Sequence, residues 1–173
     1  MPNIAAIVEH TPLWVFALLA LLVFFGVQAL RPRKPRMLRL LIVPAVFITW
    51  GVTSLLARSA ISPILLLDWL AAAVLGFAIG WLTTHLDGVR IDRAARCVEL
   101  PGSVVPLVRN LSIFAAKYCL TAASAIAPAR QAMLAPWNIG VSGLSAGYFI
   151  AWLVRLALKY RAAAAPEATA PTL

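Results

Sequence analysis

Acidic residues are scarce in this chain. Its 173 residues hold six Asp and Glu against fifteen Lys and Arg, and charged residues of both signs make up only 12%. A soluble domain is about 25% charged and about 45–50% apolar. Here 62% of the residues are hydrophobic and the mean hydropathy is +0.91. That balance excludes an ordinary soluble enzyme and a disordered tail. Cysteine is almost absent: Cys97 sits in a polar stretch, Cys119 inside an apolar run, and no CxxC occurs. A disulfide scaffold and thiol–disulfide chemistry are excluded with it. Also missing are HExxH, a phosphate loop and paired carboxylates within the apolar runs. No enzymatic activity, cofactor or metal is therefore expected.

Basic residues are missing from Met1 to Pro12, whereas a secretory signal carries them ahead of its apolar core. No lipidation motif is found either. The first apolar run is thus expected to stay attached, with its N-terminus outside.

What is present is a series of apolar runs. A membrane helix needs about 20 residues to cross about 30 Å of hydrocarbon. Five such runs can be drawn, at 12–30, 38–57, 63–84, 104–126 and 137–158. They form one transmembrane domain over 1–161, followed by a flexible tail over 162–173. The fold class expected is an all-α integral membrane protein of five transmembrane helices. Residues 3–10 read as a short interfacial helix. Thr11-Pro12 and Ser62-Pro63 read as an N-cap followed by proline at the first helical position. Pro44 should kink or loosen the second helix. Residues 127–136, with Pro128 and Pro136, read as a return loop.

Between the third and fourth helices lies the longest polar stretch, 85–103. Val89 and Ile91 alternate with Arg90 and Asp92, and Val98 and Leu100 alternate with Cys97 and Glu99. This is a hairpin pattern over about 88–100, closed by Pro101-Gly102. A two-stranded hairpin is marginal alone, so it should rest on the membrane or on a partner.

In a soluble protein a net charge of +9 would suggest nucleic acid. Here the cations gather at the ends of the apolar runs, so the partner expected is a lipid bilayer and not nucleic acid. With five crossings, eleven basic residues fall on one side, in 31–39, 90–96 and 155–161, and two, Arg58 and Arg130, on the other. Basic loops stay in the cytoplasm. That puts the hairpin and the C-terminus inside. The same loops would attract anionic lipid.

Lys117, in the middle of the fourth run, is the most informative single residue, because a lysine at that depth costs about 2.5–3.5 kcal/mol on insertion scales. At about 100° per residue, Asn110, Thr121 and Ser124 fall within about 40° of it. This stripe should face the bundle interior. It reads either as a buried proton or ligand site or as a lysine paired with a carboxylate, for which Asp68 is the candidate. The pairing is the preferred reading. His10 and His85 fall on opposite sides and cannot share a metal or haem. His85 with Cys97 matches no metal spacing. Gly76-x-x-x-Gly80 and Gly143-x-x-x-Gly147 allow close helix approach, and packing of the third helix on the fifth is preferred over a partner interface. Asn138, Ser142 and Ser145 form a polar strip on the fifth helix.

His10-Thr11-Pro12-Leu13-Trp14-Val15, Pro101-Gly102-Ser103 and Lys117-Tyr118 together resemble a family of small bacterial inner-membrane proteins known only as a domain of unknown function. The resemblance runs over most of the chain. It implies a bacterial inner-membrane location and several crossings, transfers no site, and makes His10, Trp14 and Lys117 the residues to examine. The function expected is that of a non-enzymatic structural or accessory protein acting through helix packing, as a homo-oligomer or with a membrane-protein partner. A small transporter centred on Lys117 and Asp68 is the alternative.

Overall fold

The computed structural model describes residues 11–56, 63–92 and 97–163. His10, the expected interfacial helix over 3–10, the 58–62 loop with Ser62, the 93–96 turn and the tail from 164 lie outside the described residues. Among the described residues five α-helices carry the fold: α1 (Leu13–Gln28), α2 (Met37–Leu56), α3 (Pro63–Thr83), α4 (Val105–Ile126) and α5 (Gln131–Ala162), with a 3-10 turn at Pro128–Arg130. A hairpin of β1 (Arg90–Asp92) and β2 (Cys97–Glu99) separates α3 from α4. By length and composition α2, α3 and the Pro128–Ala162 segment can each cross a membrane, while α1 is apolar but shorter.

The long helix α5 is the centre of the bundle, with α3, α2 and α4 against it and α1 against α4. Its contact with α3 is the most extensive, and the reason is the small residues. A Cβ added at Gly76 would collide with the Leu144 carbonyl, and one at Gly147 with the Ala73 carbonyl. Only glycine lets the two backbones come this close. Both small faces are therefore used inside the chain.

The rest of α3 faces outward. Its buried residues are Gly76 and Gly80 alone, while Val74 is 70% and Leu82 74% exposed. An exposed apolar face of this size is foreign to a soluble monomer and natural in lipid. On the opposite flank a core of Val15, Leu22, Phe47, Phe114 and Phe149 ties α1, α2, α4 and α5 together. Phe47 stacks on Phe149 with centroids 5.0 Å apart.

The expected hairpin forms, with Ile91 opposite Val98 and Arg90 opposite Glu99. Gly88, at φ 76°, supplies the left-handed residue that turns the chain into β1. The support the hairpin needs comes from within the chain. Arg33 and Leu100 exchange backbone bonds of 3.1 and 2.8 Å, and Val98 donates to the Pro35 carbonyl at 3.0 Å. Val89 and Val98 then pack with Leu40 and Leu156 at the ends of α2 and α5. The basic 31–39 segment is thus fastened to the hairpin as an added edge.

Two local expectations differ from the structure. Pro12, not Thr11, is the N-cap of α1, because the Thr11 hydroxyl is taken up by Tyr118 Oη at 2.8 Å. The spacing predicts a loop over 127–136, yet α5 begins at Gln131 and runs through Pro136. Pro136 removes only the bond to the Ala132 carbonyl near the helix start, so helix continues through it. Pro44 lies inside α2 as expected, buried in the bundle.

Candidate functional site

The sites that matter are polar groups inside an apolar bundle. Lys117 is only 2% exposed. The buried residues of α4 are Asn110, Phe114 and Lys117, at the i, i+4, i+7 spacing of one helical face. The Lys117 ammonium donates to Asn138 Oδ1 at 2.8 Å, Ser142 Oγ at 2.5 Å and Ser54 Oγ at 3.2 Å. An ammonium has three donors, and three acceptors from α2 and α5 meet them. Its nitrogen also lies 5.6 Å from the centre of the Trp50 ring, within cation–π range.

Asp68 is not among these acceptors. It lies on α3, whose extensive contact is with α5 and not with α4, while the three acceptors named above are hydroxyl and amide oxygens. Thr121 joins the cluster indirectly, accepting from Asn138 Nδ2 at 3.3 Å. Ser124 does not join, since its hydroxyl turns back to the Leu120 carbonyl at 2.8 Å. Asn110 is 3% exposed but lies about 10 Å along the axis from Lys117. There it accepts from Arg109 Nε at 3.2 Å. The single stripe of the sequence is therefore two separate sites.

Thr11, Trp14 and Lys117-Tyr118 meet at one end, while Pro101-Gly102-Ser103 lies at the other, where Ser103 donates to the Ala29 carbonyl at 2.7 Å. Thr11 bonds Tyr118, Trp14 sits edge-on to Trp50 at 6.1 Å, and Trp50 faces Lys117. Phe114 stacks on Tyr118 and tilts against Trp50. Trp14 itself remains 56% exposed. Ser54, Trp50 and Tyr118 were not candidates in the sequence on their own. A signal for two of them exists: Trp50 and Ser54 are one turn apart on α2, at the end of an apolar run where a lone serine is unusual.

At the other end of the bundle, cations bind carbonyls. Arg155 donates to the Trp81 and Thr84 carbonyls, both at 2.5 Å, and Lys159 to the Leu86 carbonyl. They satisfy the open C-terminus of α3, where positive charge is favoured. His85 Nδ1 donates to the Thr83 carbonyl at 3.0 Å, which fixes the Nδ1–H tautomer. Lys34 pairs with Glu99 at 2.5 Å, and Glu99 holds the Lys34 ammonium above its usual range. Burial pushes the Arg33 guanidinium down. Among the described residues no three His, Cys, Asp or Glu side chains come together.

Residues 2–167 match the Family of unknown function (DUF6622), and the chain belongs to that family. No curated protein and no solved structure matches it.

Proposed function

We propose that the chain is a multi-pass protein of the bacterial inner membrane, with five crossings, its N-terminus outside and its C-terminus in the cytoplasm. It acts without catalysis, as a structural or accessory protein. The observation that carries this reading is the Lys117 tie. The one cation at mid-depth is engaged with α2 and α5 through three hydrogen bonds, which suits a clasp between helices.

Five crossings are supported beyond the three apolar helices. Helix α4 has 22 residues and spans about 33 Å. Its mean hydropathy is lowered by Asn110 and Lys117, which are buried in the bundle. Helix α1 reaches about 24 Å and packs along α4. The excess of basic residues near the hairpin and the end of α5 supports an inward-facing hairpin. Because the glycine faces are used between α3 and α5, a partner or second copy would meet other apolar surface, such as the groove of Trp14, Leu18, Ala45, Thr49 and Trp50 between α1 and α2.

Native mass spectrometry of protein released gently from its own membrane tests the role, and reporter fusions within 57–62 and after 163 test the orientation. A fixed-ratio partner or a homo-oligomer is expected, with the first reporter outside and the second inside. A bare monomer overturns the accessory role, and reversed reporters overturn the topology. The transporter reading keeps one observation in its favour, a charged residue at mid-depth ringed by polar groups. It requires that Lys117→Met abolish a flux while the protein accumulates normally; unchanged flux removes it.

A further inference from the structure

A cavity of about 330 Å³ lies beside the hairpin, between the first turns of α2 and α4 and the ends of α1 and α3. Three guanidinium groups, Arg33, Arg39 and Arg109, are part of its lining, and no carboxylate is. Arg39 is exposed and Arg33 half-buried, so they stand at the aqueous mouth. The inner wall carries Asn110, 3% exposed, and Thr84, 6% exposed. The Arg109 guanidinium is fixed there, with Nε on Asn110 Oδ1 and the group 5.2 and 4.8 Å from the centres of the Tyr148 and Phe149 rings. None of the three arginines has a carboxylate within ion-pair distance among the described residues. The Thr84 hydroxyl, buried in the same wall beside the Tyr148 hydroxyl, makes no hydrogen bond of ordinary geometry among the described residues.

Each feature calls for the same complement. Three guanidiniums around one acid-free cavity repel one another, more strongly the lower the local dielectric. An orphaned buried hydroxyl costs about 1–3 kcal/mol. Both costs vanish when an anion with several acceptor oxygens enters. The planar fork of arginine matches phosphate in a bidentate way. Part of the remaining wall is apolar, with Phe25, Leu40, Val43 and Trp152 beside the polar Gln28, Ser103 and His85, which suits the glycerol and first methylenes of an amphiphile.

We infer that this cavity binds a phosphate group, with Arg109 and Thr84 as its inner contacts and Arg33 and Arg39 at its mouth. The membrane reading enters only in making a phospholipid headgroup one source of that phosphate. Free phosphate is the other.

The test uses the full chain in a neutral maltoside detergent. Dioctanoyl phosphatidic acid is titrated in, with dioctanoylglycerol as the phosphate-free counterpart, and binding is read from tryptophan fluorescence, to which Trp152 contributes from the cavity wall. Saturable binding of the phosphatidic acid, absent for dioctanoylglycerol, is expected. Arg109→Gln should weaken it at least tenfold and Thr84→Val about fivefold, while Arg161→Gln, an exposed cation at the end of α5, stays within twofold. Thr84→Val removes an unpartnered hydroxyl at nearly constant volume, so it folds and decides the matter if Arg109→Gln does not. Equal binding of the two probes, or wild-type affinity in a folded Thr84→Val protein, overturns the proposal. Competition by inorganic phosphate at matched ionic strength marks the soluble source, and its failure to compete marks the lipid.

Discussion

Replacing Lys117 by methionine separates two effects that act on different steps. The substitution keeps the length of the side chain and removes the charge with its three donors. Interhelical hydrogen bonds in membranes average about 0.6 kcal/mol and reach about 1.7, so three of them hold the bundle by about 2–5 kcal/mol. The lower end applies here. Ser54 keeps its own bond to the Trp50 carbonyl at 2.6 Å and Ser142 its bond to the Asn138 carbonyl at 2.8 Å, so neither hydroxyl is orphaned. Insertion moves the other way, because a lysine at a helix centre costs about 2.5–3.5 kcal/mol to insert. Lys117→Met should therefore accumulate in the membrane at least as well as wild type, yet unfold about 2 kcal/mol more easily. Unfolding in mixed micelles of rising denaturing-detergent content, followed by tryptophan fluorescence, measures the second quantity. A cycle with Ser142→Ala should return a coupling of about 1 kcal/mol. Lys117→Met unfolding within about 0.5 kcal/mol of wild type would refute the clasp.

The helix seam, the helix cap and the hairpin each yield a further test. Gly147→Ala places a methyl group on the Ala73 carbonyl and should destabilise by about 2 kcal/mol or more, while Gly140→Ala, with nothing within 4 Å of the added carbon, should be neutral or stabilising by about 0.5–1 kcal/mol; the same unfolding assay compares them. Arg155→Ala leaves the Trp81 and Thr84 carbonyls without their donor and should cost about 1–3 kcal/mol, with faster amide exchange in the last turn of α3. Lys34 has its pKa raised above 10.5 by Glu99, so the stabilisation from this pair is complete below 10.5 and is lost as pH climbs through the folded value. A nitrogen-detected lysine titration should show Lys34 returning toward 10.5 in Glu99→Gln.

The helices were legible because their signal is composition and length, which survive without tertiary information. The hairpin was legible for a related reason: Val89, Ile91, Val98 and Leu100 alternate at period two inside a polar stretch, and the partner of such a pattern is sequence-local. The support of the hairpin by residues 33–36 was not legible, since Arg33 and Pro35 offer main-chain groups and main-chain groups have no sequence signature. Pro136 misled for a physical reason. Proline favours a helix start, but it is also tolerated a turn further in when neighbouring helices and local adjustment satisfy the freed carbonyl. The glycine pairs were read correctly as an internal seam, because each small face on α3 had one counterpart on α5 at the same four-residue spacing.

The polar stripe on α4 shows where angular reasoning stops. A helical wheel groups Asn110, Lys117, Thr121 and Ser124 by direction and ignores height, yet about 1.5 Å of rise per residue puts Asn110 and Lys117 in different neighbourhoods. At the height of Lys117 the facing surfaces are Ser54 on α2 and Asn138 and Ser142 on α5; at the height of Asn110 they are Arg109 and the cavity walls. Asp68 raises a different point, because it lies on α3 and the glycine seam packs that helix on α5. That seam holds α3 against α5, and the Lys117 acceptors seen among the described residues come from α2 and α5. The closest packing in the molecule thus selects the partners of its most buried charge. Gly76→Leu, by forcing α3 off α5, should therefore disturb the Asn138 and Ser142 contacts of Lys117 without touching either residue. A shift in the Lys117 side-chain resonances of that variant would show it, and unchanged resonances in a protein whose α3 has moved would break the link.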